Sequence, residues 1–329
     1  MIRTTAFPRA ALIGNPSDGY FGKTIAFVFS NFEVQVDLHE SSQLEIIPGK
    51  RDRMTFSSIN DLVQKVQHTG YYGGVRLLKA SIKKFSDYCA ANNIPLADKN
   101  FSIGFYSSIP DGLGLAGSSA IVTAAMKAMM QFYSVEIPKP LLANLILSVE
   151  KDELKIGAGL QDRVAQVYAC PVFMNFDKSV MEQQGFGDYI SFDKSLLPPL
   201  FIAYRRNLSE GSEVTHNDLA SRFAKGEPQV LQAMQQWSSL TEQAFARLNA
   251  GDKNIADLLN ANFDLRNQLI KVSDGNKQMV MTARAVGASA KFTGSGGAII
   301  GTYTNEKMLD ALIQVMKKID AEVIIPTIV

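Results

Sequence analysis

The order of strand-like and helix-like segments predicts an α+β protein built as two domains. Three observations carry this. At 329 residues the chain is long enough for two domains of roughly 100–200 residues each. Segments of strand character fill much of the first 50 residues and return at Phe101–Ser107. Beyond Leu196-Leu197-Pro198-Pro199-Leu200, the order becomes strand, helices, two strands, helix, strand, which is that of a split βαβ, ferredoxin-like unit. The boundary divides 1–195 from 196–329.

Taken in order, Thr4 to Gly14 reads as a strand that runs into Gly14-Asn15-Pro16-Ser17-Asp18-Gly19-Tyr20-Phe21-Gly22. That loop is dense in turn formers yet carries aromatics, and it is longer than a hairpin needs, so it reads as functional. Lys23 to Leu38 alternates strongly and Leu44 to Ile47 follows, an antiparallel set expected in one sheet. Ser57 opens a helix, Gly70 to Gly74 interrupts, and Val75, Leu78, Ile82, Phe85 and Cys89 recur at helical spacing. Phe101 to Ser107 is a half-buried strand, and Ile121 to Met126 continues a small-residue helix that starts at Ser118 or Ser119. Pro138 to Leu154 is a further helix with Leu141, Leu142, Leu145, Ile146 and Val149 on one face. Glu150 lies near its end, where the helix dipole opposes a carboxylate, so it is either solvated or held by a cation. Two glycines then turn the chain, and Asp162 falls at the start of a short helix, as many capping acids do. In the second domain Phe201 to Tyr204 is a strand, and helices follow at 228–249, 254–271 and 275–286. Ala290 to Thr293 and Ala298 to Tyr303 are strands joined by Gly294 to Gly297; a helix from Asn305 to Ile319 and a strand from Val323 to Ile328 close the chain.

Between the strand at 101–107 and the helix at 121 lies Pro110-Asp111-Gly112-Leu113-Gly114-Leu115-Ala116-Gly117-Ser118-Ser119-Ala120. Its three glycines remove Cβ atoms where backbone N–H groups approach a ligand, and the helix start adds unpaired donors and the positive dipole end. Strand, glycine loop and helix start together suit an anion, phosphate above all. Gly112, Gly114 and Gly117 also satisfy the dinucleotide pattern G-x-G-x-x-G, and a ligand-free tight turn is the plain alternative. A P-loop is excluded because no Lys follows the last glycine.

Composition narrows the classes. A formal net charge of +1 offers nothing to nucleic acid or an anionic membrane. Two cysteines and three scattered histidines make no disulfide framework, zinc site or Ser-His-Asp triad. No apolar run approaches the ~18 residues of a membrane helix, and no leader is visible, so a soluble cytoplasmic protein is expected. The pieces together form a parts list for phosphoryl transfer: a phosphate cradle, oxygen ligands, an acid near the acceptor and a closing glycine loop.

On three segments the chain resembles the GHMP superfamily of small-molecule kinases. Pro110 to Ala120 is similar to its phosphate motif, Pro8 to Gly14 to its first motif, and Lys291 to Ala298 to its third. Ala116 is one residue more than the mevalonate-kinase form and is similar to kinases of anomeric sugar hydroxyls. Longer strings resemble the glucuronokinase branch: Gly14 to Asp18 with Tyr20 to Gly22, Tyr71 to Leu78, Gly159 to Tyr168, and Asn262 to Arg266. The resemblance implies a two-domain GHMP kinase fold, ribosomal-protein-S5-domain-2-like and then ferredoxin-like, with ATP and sugar in the cleft between.

By that resemblance Asp162 is the catalytic aspartate that accepts or orients the sugar hydroxyl proton, and Arg9 pairs with it and offsets developing charge. Pro110, Gly112, Leu113, Gly114, Leu115, Ala116, Gly117, Ser118, Ser119 and Ala120 hold the ATP phosphates, and Ser119 and Glu150 bind Mg²⁺. Asp18, Tyr20, Tyr72 and Gly73 face the sugar, with Tyr71 as a second stacking ring, and Gly294, Ser295, Gly296 and Gly297 close over it. A sugar carboxylate calls for an arginine fork, for which Arg76, Arg163 and Arg266 are the candidates. The adenine pocket is placed in part at Ser57 to Gly70. The implied reaction is ATP-dependent phosphorylation of D-glucuronate at its anomeric hydroxyl, by a monomer or homodimer. The alternatives are another anomeric sugar kinase (galacturonate, heptose or fucose type), a catalytically silent ATP and sugar sensor, and a dinucleotide oxidoreductase.

Overall fold

The computed structural model describes residues 1–49, 73–208 and 219–329. The expected helix and adenine segment from Ser57 to Gly70, with Tyr71 and Tyr72, lies outside the described residues.

The first strand-like segment is two strands, not one. β1 (Ile2–Ala6) and β2 (Arg9–Ile13) part at Phe7-Pro8, where proline has no N–H to continue a ladder, and enter different sheets. In the first sheet β1 pairs antiparallel with β4 (Val34–Ser41), β4 with β6 (Asn100–Ser107), and β5 (Glu45–Ile47) runs parallel to β6. In the second, β2 pairs with β3 (Lys23–Val28), β3 with β7 (Val172–Asn175) and β7 with β8 (Asp188–Ser191). The expected single antiparallel set from 23 to 47 is therefore corrected: β3 and β4 belong to separate sheets, and β5 is parallel to its neighbour. Burial gives the reason. β3 is covered on both faces from Thr24 to Val28, whereas β4 alternates buried and half-exposed residues with one face open to water. β7, β8 and the helix between them had no sequence signal that marked them.

α1 (Gly74–Ala91) buries Leu77, Leu78, Phe85 and Cys89. α2 (Gly117–Tyr133) is apolar almost all round, and Ala120 to Met126 are buried without a break, as a helix enclosed by sheet and helices must be. α3 (Lys139–Ser148) does not run on as an α-helix to Leu154; Val149–Glu153 forms one wide π turn closed by Leu154 N–H on Val149 O at 3.2 Å. α4 (Gln161–Tyr168) follows, then α5 (Lys178–Gln184).

The third sheet has β9 (Leu200–Tyr204), β10 (Lys291–Phe292), β11 (Ala298–Thr302) and β12 (Glu322–Ile324) in the order β10-β11-β9-β12, all antiparallel. That is the strand order of a split βαβ unit, as expected. Helices α6 (Pro228–Asn249), α7 (Ala256–Leu269) and α8 (Asp274–Ala285) lie between β9 and β10, and α9 (Glu306–Lys317) between β11 and β12. The main core is continuous across both halves of the chain: Ala244 and Leu248 of α6 and Ile202 of β9 join the cluster containing Leu12, Phe27 and Val164. Trp237 of α6 is wholly buried and donates its indole N–H to Asn262 O at 3.1 Å, locking α6 on α7.

Candidate active site

The loop at 110–120 adopts three left-handed residues, Gly112 (φ 69°), Gly114 (φ 63°) and Ala116 (φ 62°), the last one at the cap position of α2. Leu113 and Leu115 are buried anchors between them. Ala116 makes no side-chain cap bond to α2, and the positive end of a helix favours an anion. Ala116 O is the knot of the loop: it accepts from Ala120 N at 3.2 Å, from the Ser119 hydroxyl at 3.1 Å and from Gln166 Nε2 at 2.9 Å.

Arg9, on β2, is buried beneath this loop and joins several segments at once. Its guanidinium meets Asp162 Oδ1 at 2.6 Å, Gly114 O at 3.2 Å and Thr293 O, while its backbone N–H donates to Leu115 O at 3.0 Å. Asp162 stands in the first turn of α4, and its Oδ2 lies 3.2 Å from Arg163 Nη1. Arg163 is also buried; it donates to Gly159 O at 2.8 Å and to Glu150 Oε2. Glu150 is thus held by a cation, one of the two states expected of it. The wide turn at 149–153 carries it, and its Oε1 accepts from the Ser118 hydroxyl at 2.7 Å.

The two serines do not share the expected arrangement. Ser118 reaches Glu150, whereas Ser119 is fully buried and turns back onto Ala116 O. Consecutive helical positions face about 100° apart, so only one of the pair can face the carboxylate. Among the described residues no group of three or more His, Cys, Asp or Glu side chains could hold a metal alone. One carboxylate and one hydroxyl at a helix start are the partial set of hard oxygens that suits Mg²⁺, which keeps waters and phosphate oxygens as its other ligands.

Asp18 sits in a 3₁₀ turn, Ser17–Tyr20, and accepts from Gln161 Nε2 at 3.2 Å. A Cβ at Gly159 would overlap its Oδ2, so that glycine is required by close approach. Burial, then the charge of Asp162, pushes the Asp18 carboxyl up to about 7, against the opposing pull of Arg9. Tyr20 lies largely buried beside it, with its ring 5.0 Å from that of Phe223. Gly73 precedes α1, and Arg76 is half-buried in its first turn.

α7 ties this loop to the second glycine loop. Asn262 accepts from Gly14 N at 2.7 Å and donates to Asn15 O at 3.2 Å; Arg266 donates to Gly294 O at 2.9 Å and Ser295 O at 2.7 Å. Gly297 N is held by Asn276 Oδ1 at 2.8 Å. The two glycine loops touch: a Cβ at Gly294 would overlap Gly114 O, and one at Gly114 would come within 2.9 Å of Ser295 N. Lys291 is buried behind them with its ammonium on Ala11 O and Phe292 O, at 2.8 and 2.7 Å. Burial, then Arg266 and Arg9, lowers its pKa well below the ordinary lysine value.

The fold therefore gathers Arg9, Asp18, Glu150 and Asp162 with both glycine loops. Of the three arginines weighed for a sugar carboxylate, Arg163 and Arg266 have their forks on groups within the protein. Sequence reading did not single out Gln161, Gln166 or Asn262, although they lie inside the strings that carried the resemblance. Lys291 stands out in the sequence only as the first residue of the third motif, and Asn276 carries no signal at all.

Residues 76–170 match the family model described as GHMP kinases N terminal domain. The chain is 43% identical over 306 residues to "Glucuronokinase 1" of Arabidopsis thaliana, covering 91% of this chain and 84% of that protein. It is 44% identical over 303 residues to "Probable glucuronokinase 2" of the same plant, covering 90% and 82%. The fold superposes on that of Lactococcus lactis galactokinase with a TM-score of 0.74 at 16% identity, covering 99% of this chain and 93% of that one. Among the described residues no helix is long and apolar enough to cross a membrane.

Proposed function

The chain belongs to the GHMP kinases, together with the glucuronokinases it matches over most of its length, and on that premise we propose that it phosphorylates D-glucuronate at the anomeric hydroxyl. ATP is the phosphoryl donor, the product is the sugar acid 1-phosphate, and the enzyme works in the cytoplasm as a monomer or homodimer. The observation that carries the reading is the Arg9–Asp162 pair set directly beneath an uncapped helix N-terminus and a glycine loop. This joins a charge-stabilising cation, an acceptor-orienting carboxylate and a phosphate cradle in one place.

The backbone donors of 112–119 take the phosphates, and Arg9 offsets charge on the transferred group. Asp162 accepts the hydrogen bond of the sugar hydroxyl and aims its oxygen at the γ-phosphorus. Asp18 and Tyr20 face the sugar ring; Gly294 to Gly297 cover the reacting atoms. Ser118 and Glu150 hold Mg²⁺, which when bound neutralises phosphate charge, and Ser119 supports the loop through Ala116 O. The resemblance over 71–78 makes Arg76, in the first turn of α1, a candidate for the sugar carboxylate. The two domains, 1–195 and 196–329, contribute the phosphate loop and the covering loop respectively.

ADP release from Mg-ATP across a sugar panel tests this, with phosphorus NMR of the product and Asp162→Asn as control. Turnover on glucuronate above galacturonate, glucose and galactose, lost in Asp162→Asn, is the expected result. Turnover on a neutral sugar alone would remove glucuronate and the role of Arg76. ATP binding with no turnover on any sugar would replace the kinase by a sensor.

A further inference from the structure

Two carboxylates serve different ends of the proposed reaction: Asp162 the sugar hydroxyl, Glu150 the metal. They stand on different elements, α4 and the wide turn after α3, and a single buried guanidinium spans them. Arg163 places Nη1 3.2 Å from Asp162 Oδ2 and Nη2 on Glu150 Oε2, with side-chain exposure of 3% for the arginine and 1% for the glutamate. Its own position is set by Gly159 O at 2.8 Å. The geometry assigns an oxygen to each partner. Arg9 holds Oδ1 of Asp162 and Arg163 its Oδ2; Arg163 holds Oε2 of Glu150 and Ser118 its Oε1. Rotation of either carboxylate breaks a charge-assisted bond to the same planar fork.

We propose that Arg163 is a positioning residue that locks the acceptor-orienting carboxylate of Asp162 to the metal-facing carboxylate of Glu150, so that the sugar end and the metal end of the site are set together. This rests on the kinase reading above. It removes Arg163 from contact with the sugar and gives it a role through two other residues. A lysine cannot replace it: an ammonium is a point charge and does not present two parallel donors to two separate carboxylates. The wide turn is part of the device, because it turns Glu150 inward from the end of α3.

The test is calorimetric binding of the non-hydrolysable analogue AMPPNP, with and without Mg²⁺, beside kcat and KM on glucuronate. Arg163→Gln leaves Glu150 buried without its cation and risks the fold. Arg163→Lys keeps the charge, and Asp162→Asn keeps the shape, so both are measured as well. For Arg163→Lys the Mg²⁺ enhancement of AMPPNP affinity should fall about tenfold and kcat by about 10–100-fold. Metal-free AMPPNP affinity and the KM for glucuronate should stay at the wild-type values. Asp162→Asn should also change the Mg²⁺ enhancement, by about threefold, although Asp162 is not a metal donor.

Three results would overturn the proposal. One is a wild-type Mg²⁺ enhancement in both Arg163→Lys and Asp162→Asn. Another is a rise confined to the KM for glucuronate, which would return Arg163 to the sugar. The third is loss of melting temperature in Arg163→Lys with kcat and Mg²⁺ enhancement intact, which would leave only a structural ion pair. A wild-type protein that binds Mg-AMPPNP but phosphorylates no sugar would end the kinase reading and leave the binding comparison standing.

Discussion

The two glycine loops of this protein, 110–120 and 294–297, meet at Gly114 and Gly294 but are built on different principles. The first precedes a 17-residue helix with no side-chain cap, and it turns through three left-handed residues. In the kinase reading proposed above it acts electrostatically, and Arg9 adds to the same field. The second is a hairpin turn between β10 and β11 with no helix behind it. Its glycines answer to shape: Gly294 lies against Gly114 O, and Gly297 lies against Leu113 and Leu208 O. Side chains of Arg266 and Asn276 hold it from α7 and α8. The first loop meets its neighbour closely at Gly114, whereas the second is held by close contact at both Gly294 and Gly297.

Substitution of Gly294 by alanine should separate the two most strongly. The added Cβ overlaps Gly114 O and drives the loops apart, with an expected loss of about 100-fold in kcat/KM, since a displacement of ~1 Å at a reacting centre has that effect. Steady-state kinetics on protein shown by circular dichroism to be folded reads this; near-normal kinetics would mean the loops do not close on each other. Arg266→Met removes two charge-assisted bonds to the Gly294 and Ser295 carbonyls. At about 1.5–3 kcal/mol per such bond, only part of which reaches the site, KM values for ATP and sugar should both rise about tenfold. A change in one KM alone would place the arginine on that ligand instead.

Asp18 offers a smaller, pH-dependent effect. Its carboxyl is raised from 3.8 to about 7, so the folded protein holds this proton more tightly than the unfolded chain does. The contribution is therefore intact below pH 3.8, declines as pH rises towards 7, and remains lowered above it. Asp18→Asn should melt about 2–4 °C above wild type at pH 8 and level with it near pH 4. Calorimetric scans at the two pH values check the sign, and a gain at pH 4 instead would overturn the assignment. The smallest effect belongs to the first loop. Ala116 is held at φ 62° with a Cβ, a cost of about 1–2 kcal/mol that glycine avoids. Ala116→Gly should raise the melting temperature by about 1–2 °C, since the freer unfolded chain offsets part of the relieved strain, with phosphate binding retained, because Ala116 O and not its side chain ties the loop.

Much of this was legible in the chain itself. The glycine loop, the helix that follows it, Asp162 in a first helical turn and the closing hairpin all rest on local rules, namely turn chemistry, periodicity and helix starts. So does the strand and helix order of the second half. The membership of β3 and β4 in different sheets was not legible, since the same alternation suits either sheet and the choice lies in what covers the second face. The strands at 172–175 and 188–191 were too short to stand out, and they are held by pairing with β3 and with each other.

At the site the division follows sequence distance. Residue types and their neighbours determined that a carboxylate, a cation and a glycine loop before a helix would be present. Tertiary structure alone decided that Ser118 and not Ser119 meets Glu150, 32 positions away, that Arg163 turns inward to two carboxylates, and that Arg266 reaches across to Gly294. An arginine on a helix has the same local propensity whether it faces water or a buried acid. Which it faces is set by the packing of elements far apart in the chain, and local periodicity carries no term for that.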